Sequence, residues 1–177
     1  TLKDNEILVE WEVENTGDDE MYFTIGGHPA FRVPVREGES QSDYRLAFEE
    51  QDALTYLLID TSVGTVIADE PHTLPLENGT CAIDPHMFDK DALVFDNGQI
   101  QKAGILFPDG SPYLTLTSEG FPNFGIWSVP GAPFVCLEPW MGRCDDCGFE
   151  KPLSEKANTN VLKPDEEFIR SYQITVH

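Results

Sequence analysis

The chain has 177 residues, enough for one domain with a true core, and its 40% hydrophobic and 24% charged content is that of a globular protein rather than a disordered one. Eleven basic residues against 32 acidic ones give a formal net charge of −21, a field that repels nucleic acid and anionic membrane surfaces and suits a neutral ligand. No run approaches the ~18 apolar residues of a membrane-spanning helix, and the opening Thr1–Glu6 segment lacks the basic and apolar parts of a leader, so a cytoplasmic protein without a signal peptide is expected.

The first element is a strand. Ile7, Val9, Trp11 and Val13 alternate with Leu8, Glu10 and Glu12, the period-2 pattern of a half-buried strand. Asn15-Thr16-Gly17-Asp18 reads as a turn into a second strand, Met21–Ile25. Further strands are expected at Tyr44–Phe48, Thr55–Ile59, Gly64–Ala68, Ala92–Phe95, Ile100–Phe107, Tyr113–Thr117, Phe124–Val129, Phe134–Glu138 and Phe168–Val176. Turn sequences such as Glu77-Asn78-Gly79, Asp96-Asn97-Gly98, Pro108-Asp109-Gly110 and Pro130-Gly131-Ala132-Pro133 separate them. Only His86–Lys90 suits a short helical turn. Many short strands at close spacing predict an all-β antiparallel sandwich, residues 1–177 forming a single domain.

Four cysteines, Cys81, Cys136, Cys144 and Cys147, are too few for a disulfide scaffold in a chain of this length and point to a reducing compartment. Cys144-Asp145-Asp146-Cys147 is a lone C-x-x-C, and His72, His86 and His177 are scattered without ligand spacing. The pair reads as two loop thiols, so no metal is expected.

Two segments carry the chemistry. In Ile25-Gly26-Gly27-His28-Pro29-Ala30-Phe31, two glycines let the backbone turn sharply or approach a ligand, and Pro29 biases His28 to an extended conformation. An imidazole so restrained can donate or accept a proton near neutral pH, although a structural histidine at a strand end has the same signature. In Cys136-Leu137-Glu138-Pro139-Trp140, the Glu138 carboxylate follows an apolar run. That position is costly unless the group is paired or functional, and partial desolvation makes it a better base. The structural alternative is a salt bridge to Arg143 or a position at the rim. Phe124, Trp127 and Trp140 flank the region and could stack on sugar C–H faces or belong to the core. Asp91, just before an apolar strand, could accept hydrogen bonds from substrate hydroxyls.

These segments resemble the aldose 1-epimerase (galactose mutarotase) family, and within it the LacX-like branch. The resemblance runs through Asn15-Thr16-Gly17, Phe23 to Phe31, Asp91-Ala92-Leu93, Phe124-Gly125-Ile126-Trp127 and Cys136 to Gly142, in order and over nearly the whole chain. It implies a galactose mutarotase-type supersandwich and interconversion of the α and β anomers of a free aldose without a cofactor. It assigns His28 as general acid, Glu138 as general base and Asp91 as a sugar ligand. It also implies that the chain corresponds to the C-terminal part of a longer family domain. An incomplete sandwich would expose sheet edges and favour a homo-oligomer.

Two other readings compete. One is a non-catalytic sugar-binding sandwich. The other is a glycoside hydrolase using Glu138 and Asp91 as a carboxylate pair. A phosphosugar is disfavoured, since only Arg32 and Arg36 closely follow the His28 segment and phosphate recognition needs clustered cations.

Overall fold

The computed structural model describes residues 1–49 and 51–177. The strands are β1 (Leu2–Lys3), β2 (Glu6–Glu14), β3 (Met21–Phe23), β4 (Ile25–Gly26), β5 (Ala30–Arg32), β6 (Arg45–Phe48), β7 (Ala53–Asp60) and β8 (Thr65–Pro75), followed by β9 (Thr80–Ala82), β10 (Leu93–Phe95), β11 (Lys102–Leu106), β12 (Pro112–Thr117), β13 (Asn123–Trp127), β14 (Phe134–Met141), β15 (Asn160–Leu162) and β16 (Glu167–Val176). Two short 3-10 turns, Gln41–Asp43 and Leu153–Glu155, are the only helical elements among the described residues. No helix there is long and apolar enough to cross a membrane.

The strands form two seven-stranded sheets and one small pair. The first sheet runs β1-β2-β16-β12-β11-β6-β9; the second runs β4-β14-β13-β10-β7-β8, with β5 also paired to β14; β15 and β3 pair alone. The named ladders are antiparallel, as the sandwich expectation requires. The longest is β2 against β16, where Trp11 lies opposite Arg170 and Val9 opposite Tyr172. Buried Asn15 ends β2: its amide donates to the Leu162 and Asp19 carbonyls at 2.9 and 2.8 Å, and its oxygen accepts the Gly17 N–H. The Asn-Thr-Gly turn therefore also fastens β15 to the sandwich.

Strand alternation sorts the second sheet into two faces. Val135, Leu137 and Met141 of β14, Phe124 and Ile126 of β13, and Leu93 and Phe95 of β10 join the main core with residues of the first sheet. Leu57, Val66, Ala92 and Val94 form a smaller cluster with Ile59, Trp127, Trp140 and Cys144. That cluster belongs to the outer face, and the site is built on it.

Four strands lie outside the sequence expectations: β1, β5, β9 and β15, each of two or three residues. Strand β8 runs on through Pro71 to Pro75, where the sequence suggested an end at Ala68. It lies at the border of the second sheet, where a missing proline N–H breaks no inner ladder. Met21–Ile25 is divided between two sheets, and His86–Lys90 is a series of tight turns closed by Met87 N–H to Asp84 O and Asp89 N–H to His86 O.

Candidate active site

The β14 strand supplies the floor. Its even-numbered residues Cys136, Glu138 and Trp140 share the outer face. Glu138 lies opposite Gly125 of β13. A glycine there leaves the carboxylate a neighbour without a side chain.

Trp140 shows why glycines flank this strand. A Cβ added at Gly26 would lie 2.4 Å from the indole, and one at Gly125 only 2.3 Å from it. No real Cβ tolerates such distances, so the two glycines on the neighbouring strands form the bed of the ring. Gly27 is tight for another reason: a Cβ would stand 2.9 Å from the Tyr172 hydroxyl of the first sheet.

The His28 backbone is clamped to β14 from both sides. Gly27 N–H donates to the Pro139 carbonyl at 2.9 Å, and Leu137 N–H donates to the Pro29 carbonyl at 3.3 Å. The imidazole is thereby carried over Glu138, with its Nδ1 hydrogen-bonded to the carboxylate. The two groups differ sharply in exposure: the His28 side chain is 62% exposed and that of Glu138 5%. The Trp127 ring sits beside the imidazole, with centroids 5.7 Å apart, and leans on Phe134.

Burial pushes the Glu138 carboxyl above the ordinary glutamate range. Hydrogen bonding and charge from His28 and the Trp140 indole pull it back, and the Asp91 charge adds a small push upward. Burial likewise holds the Cys136 thiol up at about 12, reinforced by the Glu138 charge. It is therefore a protonated thiol at neutral pH.

Around this pair lies an open cleft of about 630 Å3, lined by Thr24, Ile59, Asp91 and Trp140 among others. Asp91 has a left-handed backbone, φ 75°, and one carboxylate oxygen accepts the Ala92 N–H at 2.7 Å. Its second oxygen has no protein partner among the described contacts. A neighbouring hollow of about 720 Å3 shares Arg143, Cys144 and Lys156 with the cleft. Its cations are already committed: Arg143 to Asp96 and Asp146, and Lys156 to Asp145, each at 2.8 Å.

The structure thus gathers His28, Glu138, Asp91 and Trp140 in one cleft and puts Trp127 behind the imidazole. One expectation needs correction, and one alternative is not met. Phe124 does not line the cleft; it is 2% exposed and packs in the main core. Phe124 and Trp127 are three residues apart on one strand, so the pleat must turn them to opposite faces. The Glu138–Arg143 ion pair is also absent: Arg143 turns to the aspartates and Glu138 to His28. Sequence reasoning missed Cys136, although its position two residues before Glu138 already placed it on the same face. Among the described residues, His28, Cys136 and Glu138 form a group of potential metal donors.

The comparisons with known proteins speak to the fold. No protein-family model matches the chain. The plasmid-encoded LacX protein of Lactococcus lactis subsp. lactis is 29% identical over 179 residues, covering 99% of this chain. A galactose mutarotase related enzyme from Lactobacillus acidophilus superposes with a TM-score of 0.88 at 26% identity, over 99% of this chain and 59% of its own. A galactose mutarotase-like protein from Lactobacillus casei gives 0.84 at 26% identity, over 99% and 60%. The architecture is therefore that of the galactose mutarotase-like β-sandwiches. In sequence the chain is similar to the LacX protein, and it spans 60% of that relative's length.

Proposed function

We propose that this chain carries the acid–base pair of an aldose 1-epimerase and interconverts the α and β anomers of a free aldose. The observation that carries the reading is the hydrogen-bonded pair of exposed His28 and buried Glu138 in a cleft bordered by Trp140 and Asp91. Glu138 takes the proton of the anomeric hydroxyl through the oxygen not bonded to His28. The protonated imidazole gives its Nε2 proton to the ring oxygen. The bond between the anomeric carbon and the ring oxygen breaks, and the exocyclic C–O bond becomes a carbonyl. Rotation of the aldehyde exposes its other face, and closure returns both protons. Nothing is oxidised or reduced, and one positioned acid with one positioned base provides the catalysis. Trp140 offers a face to the sugar C–H groups, and the free oxygen of Asp91 an acceptor for a hydroxyl.

The test is polarimetry of freshly dissolved α-glucose and α-galactose with wild type, Glu138→Gln and His28→Asn. Wild type should speed the approach to anomeric equilibrium, and each substitution should cut the enzymatic rate by roughly 10²–10⁴-fold. If wild type never exceeds the spontaneous rate for any aldose tried, yet binds sugar equally well with Gln at position 138, the non-catalytic binding reading replaces this one.

A further inference from the structure

The proposed reaction leaves one group of the site unused. Cys136 lies on β14 two residues before Glu138, opposite Ala30 of β5 and Trp127 of β13. Its Sγ, a ring nitrogen of His28 and a carboxylate oxygen of Glu138 all lie within 4.8 Å of one another. Thiolate, imidazole and carboxylate together form a zinc-type donor set, softer than any site for magnesium or calcium. Zinc bonds of about 2.0–2.3 Å in tetrahedral geometry hold donors roughly 3.3–3.8 Å apart. Side-chain adjustments of under about 1 Å would bring the three donors to that spacing. The frame is held where this requires it: Cys136 is paired on both sides, to β13 and β5, Glu138 is paired to β13, and the His28 backbone is clamped to the same strand. The His28 side chain is the exposed donor, 62% against 5% for Glu138, so an ion would approach from the imidazole side.

We propose that His28, Cys136 and Glu138 bind a single zinc ion, which silences the site by occupying its acid and its base together. Binding displaces the thiol proton and the proton held between His28 and Glu138 to solvent. The cysteine is what distinguishes this site from an ordinary acid–base pair, because two ligands alone hold zinc weakly. The silencing half rests on the mutarotase reading; the binding half does not.

Binding is therefore measured first, and without any sugar. Metal-free protein is titrated with zinc chloride against a chromophoric chelator, and separately with cobalt(II). Wild type should take up one equivalent and show a thiolate-to-cobalt charge-transfer absorption. Cys136→Ala and Cys136→Ser should lose that absorption and bind zinc at least ~100-fold more weakly, beyond the 10–100-fold cost of losing a mere second-shell partner. His28→Ala, a change at an exposed side chain, should weaken binding as well. Equal zinc affinity in wild type and Cys136→Ala, or a cobalt complex without thiolate absorption, overturns the proposal. In the mutarotation assay, zinc should stop wild type, a chelator should restore it, and Cys136→Ala should stay active in zinc. An active wild type indifferent to saturating zinc refutes the silencing. An inactive wild type counts against the mutarotase reading alone, and the titration still decides the metal site.

Discussion

The Trp140 indole lies across Gly125 so closely that a Cβ at that glycine would stand 2.3 Å from the ring. Position 125 is opposite Glu138, so the same glycine sets both the bed of the indole and the surroundings of the carboxylate. Gly125→Ala must push the ring out of its seat or bend β13. It should cost about 1–3 kcal/mol, the range for overpacking a tight site. A lowered urea midpoint with an unchanged slope, together with altered near-UV circular dichroism of the tryptophans, is the expected pattern. Unchanged stability would mean that the indole is not held between these glycines.

Glu138 sets the pH behaviour. Its folded carboxyl keeps its proton above the ordinary value of 4.5, mainly because it is buried. The folded state therefore binds more protons than the unfolded chain in the window from 4.5 up to the raised value. The contribution of this group to stability is fully present below 4.5 and is lost as pH rises through the folded pKa. Glu138→Gln removes that loss while keeping an acceptor for the His28 N–H. The variant should melt higher than wild type at pH 7–8, with the gap closing below pH 4.5. Activity should run the other way, with an acid limb in kcat/KM above pH 4.5. A variant that melts lower at every pH would show that ionised Glu138 stabilises the fold.

The cleft was legible where chemistry and periodicity coincide. Buried carboxylates are rare without a role, so Glu138 stood out, and the two glycines and proline around His28 marked a restrained imidazole. Trp140 follows Glu138 by two residues and had to share its face. Phe124 was misjudged because aromatic character was read without parity, and Cys136 was overlooked because a buried thiol has no charge to draw attention. The sandwich itself was readable from alternation in β2, β7, β12 and β16. Strands such as β5, β9 and β15 are too short to show alternation; β5 is held by the long β14, β9 by pairing to β6, and β15 by the Asn15 anchor. The proline after Glu138 suggested a strand end, yet β14 runs to Met141, and Pro139 lies opposite Phe124.

Arg143 anchors the chain just after β14, at the border of the cleft. Its guanidinium donates two bonds to Asp96 at 2.8 Å each and meets Asp146 at the same distance. Burial works to lower its pKa, but the two aspartates outweigh this and hold it above the ordinary arginine range. Arg143→Met leaves Asp96 facing a half-closed pocket without its partner. The expected loss is about 2 kcal/mol, below the roughly 3–5 for a fully buried pair, because the Asp146 side chain is 45% exposed and screened. Chemical denaturation of Arg143→Met, Asp96→Asn and the double variant checks this. The double should lose less than the sum, and strict additivity would show that the pair does not act as a unit.

Phe124 and Trp127 offer the sharpest test of the two-faced sheet. Phe124 packs in the core on the inner face, while Trp127 stands against the His28 ring on the outer one. Phe124→Ala opens a cavity and should cost about 3–5 kcal/mol, with little change in KM for the protein that remains folded. Trp127→Ala removes a half-buried ring and should cost less stability. It frees the imidazole to leave Glu138, so kcat should fall and the acid limb of the pH profile should move. Denaturation midpoints and steady-state mutarotation, taken on the same preparations, separate the two effects. If Phe124→Ala raised KM while stability held, its ring would have to reach the cleft, and the assignment of inner and outer faces in β13 would be wrong.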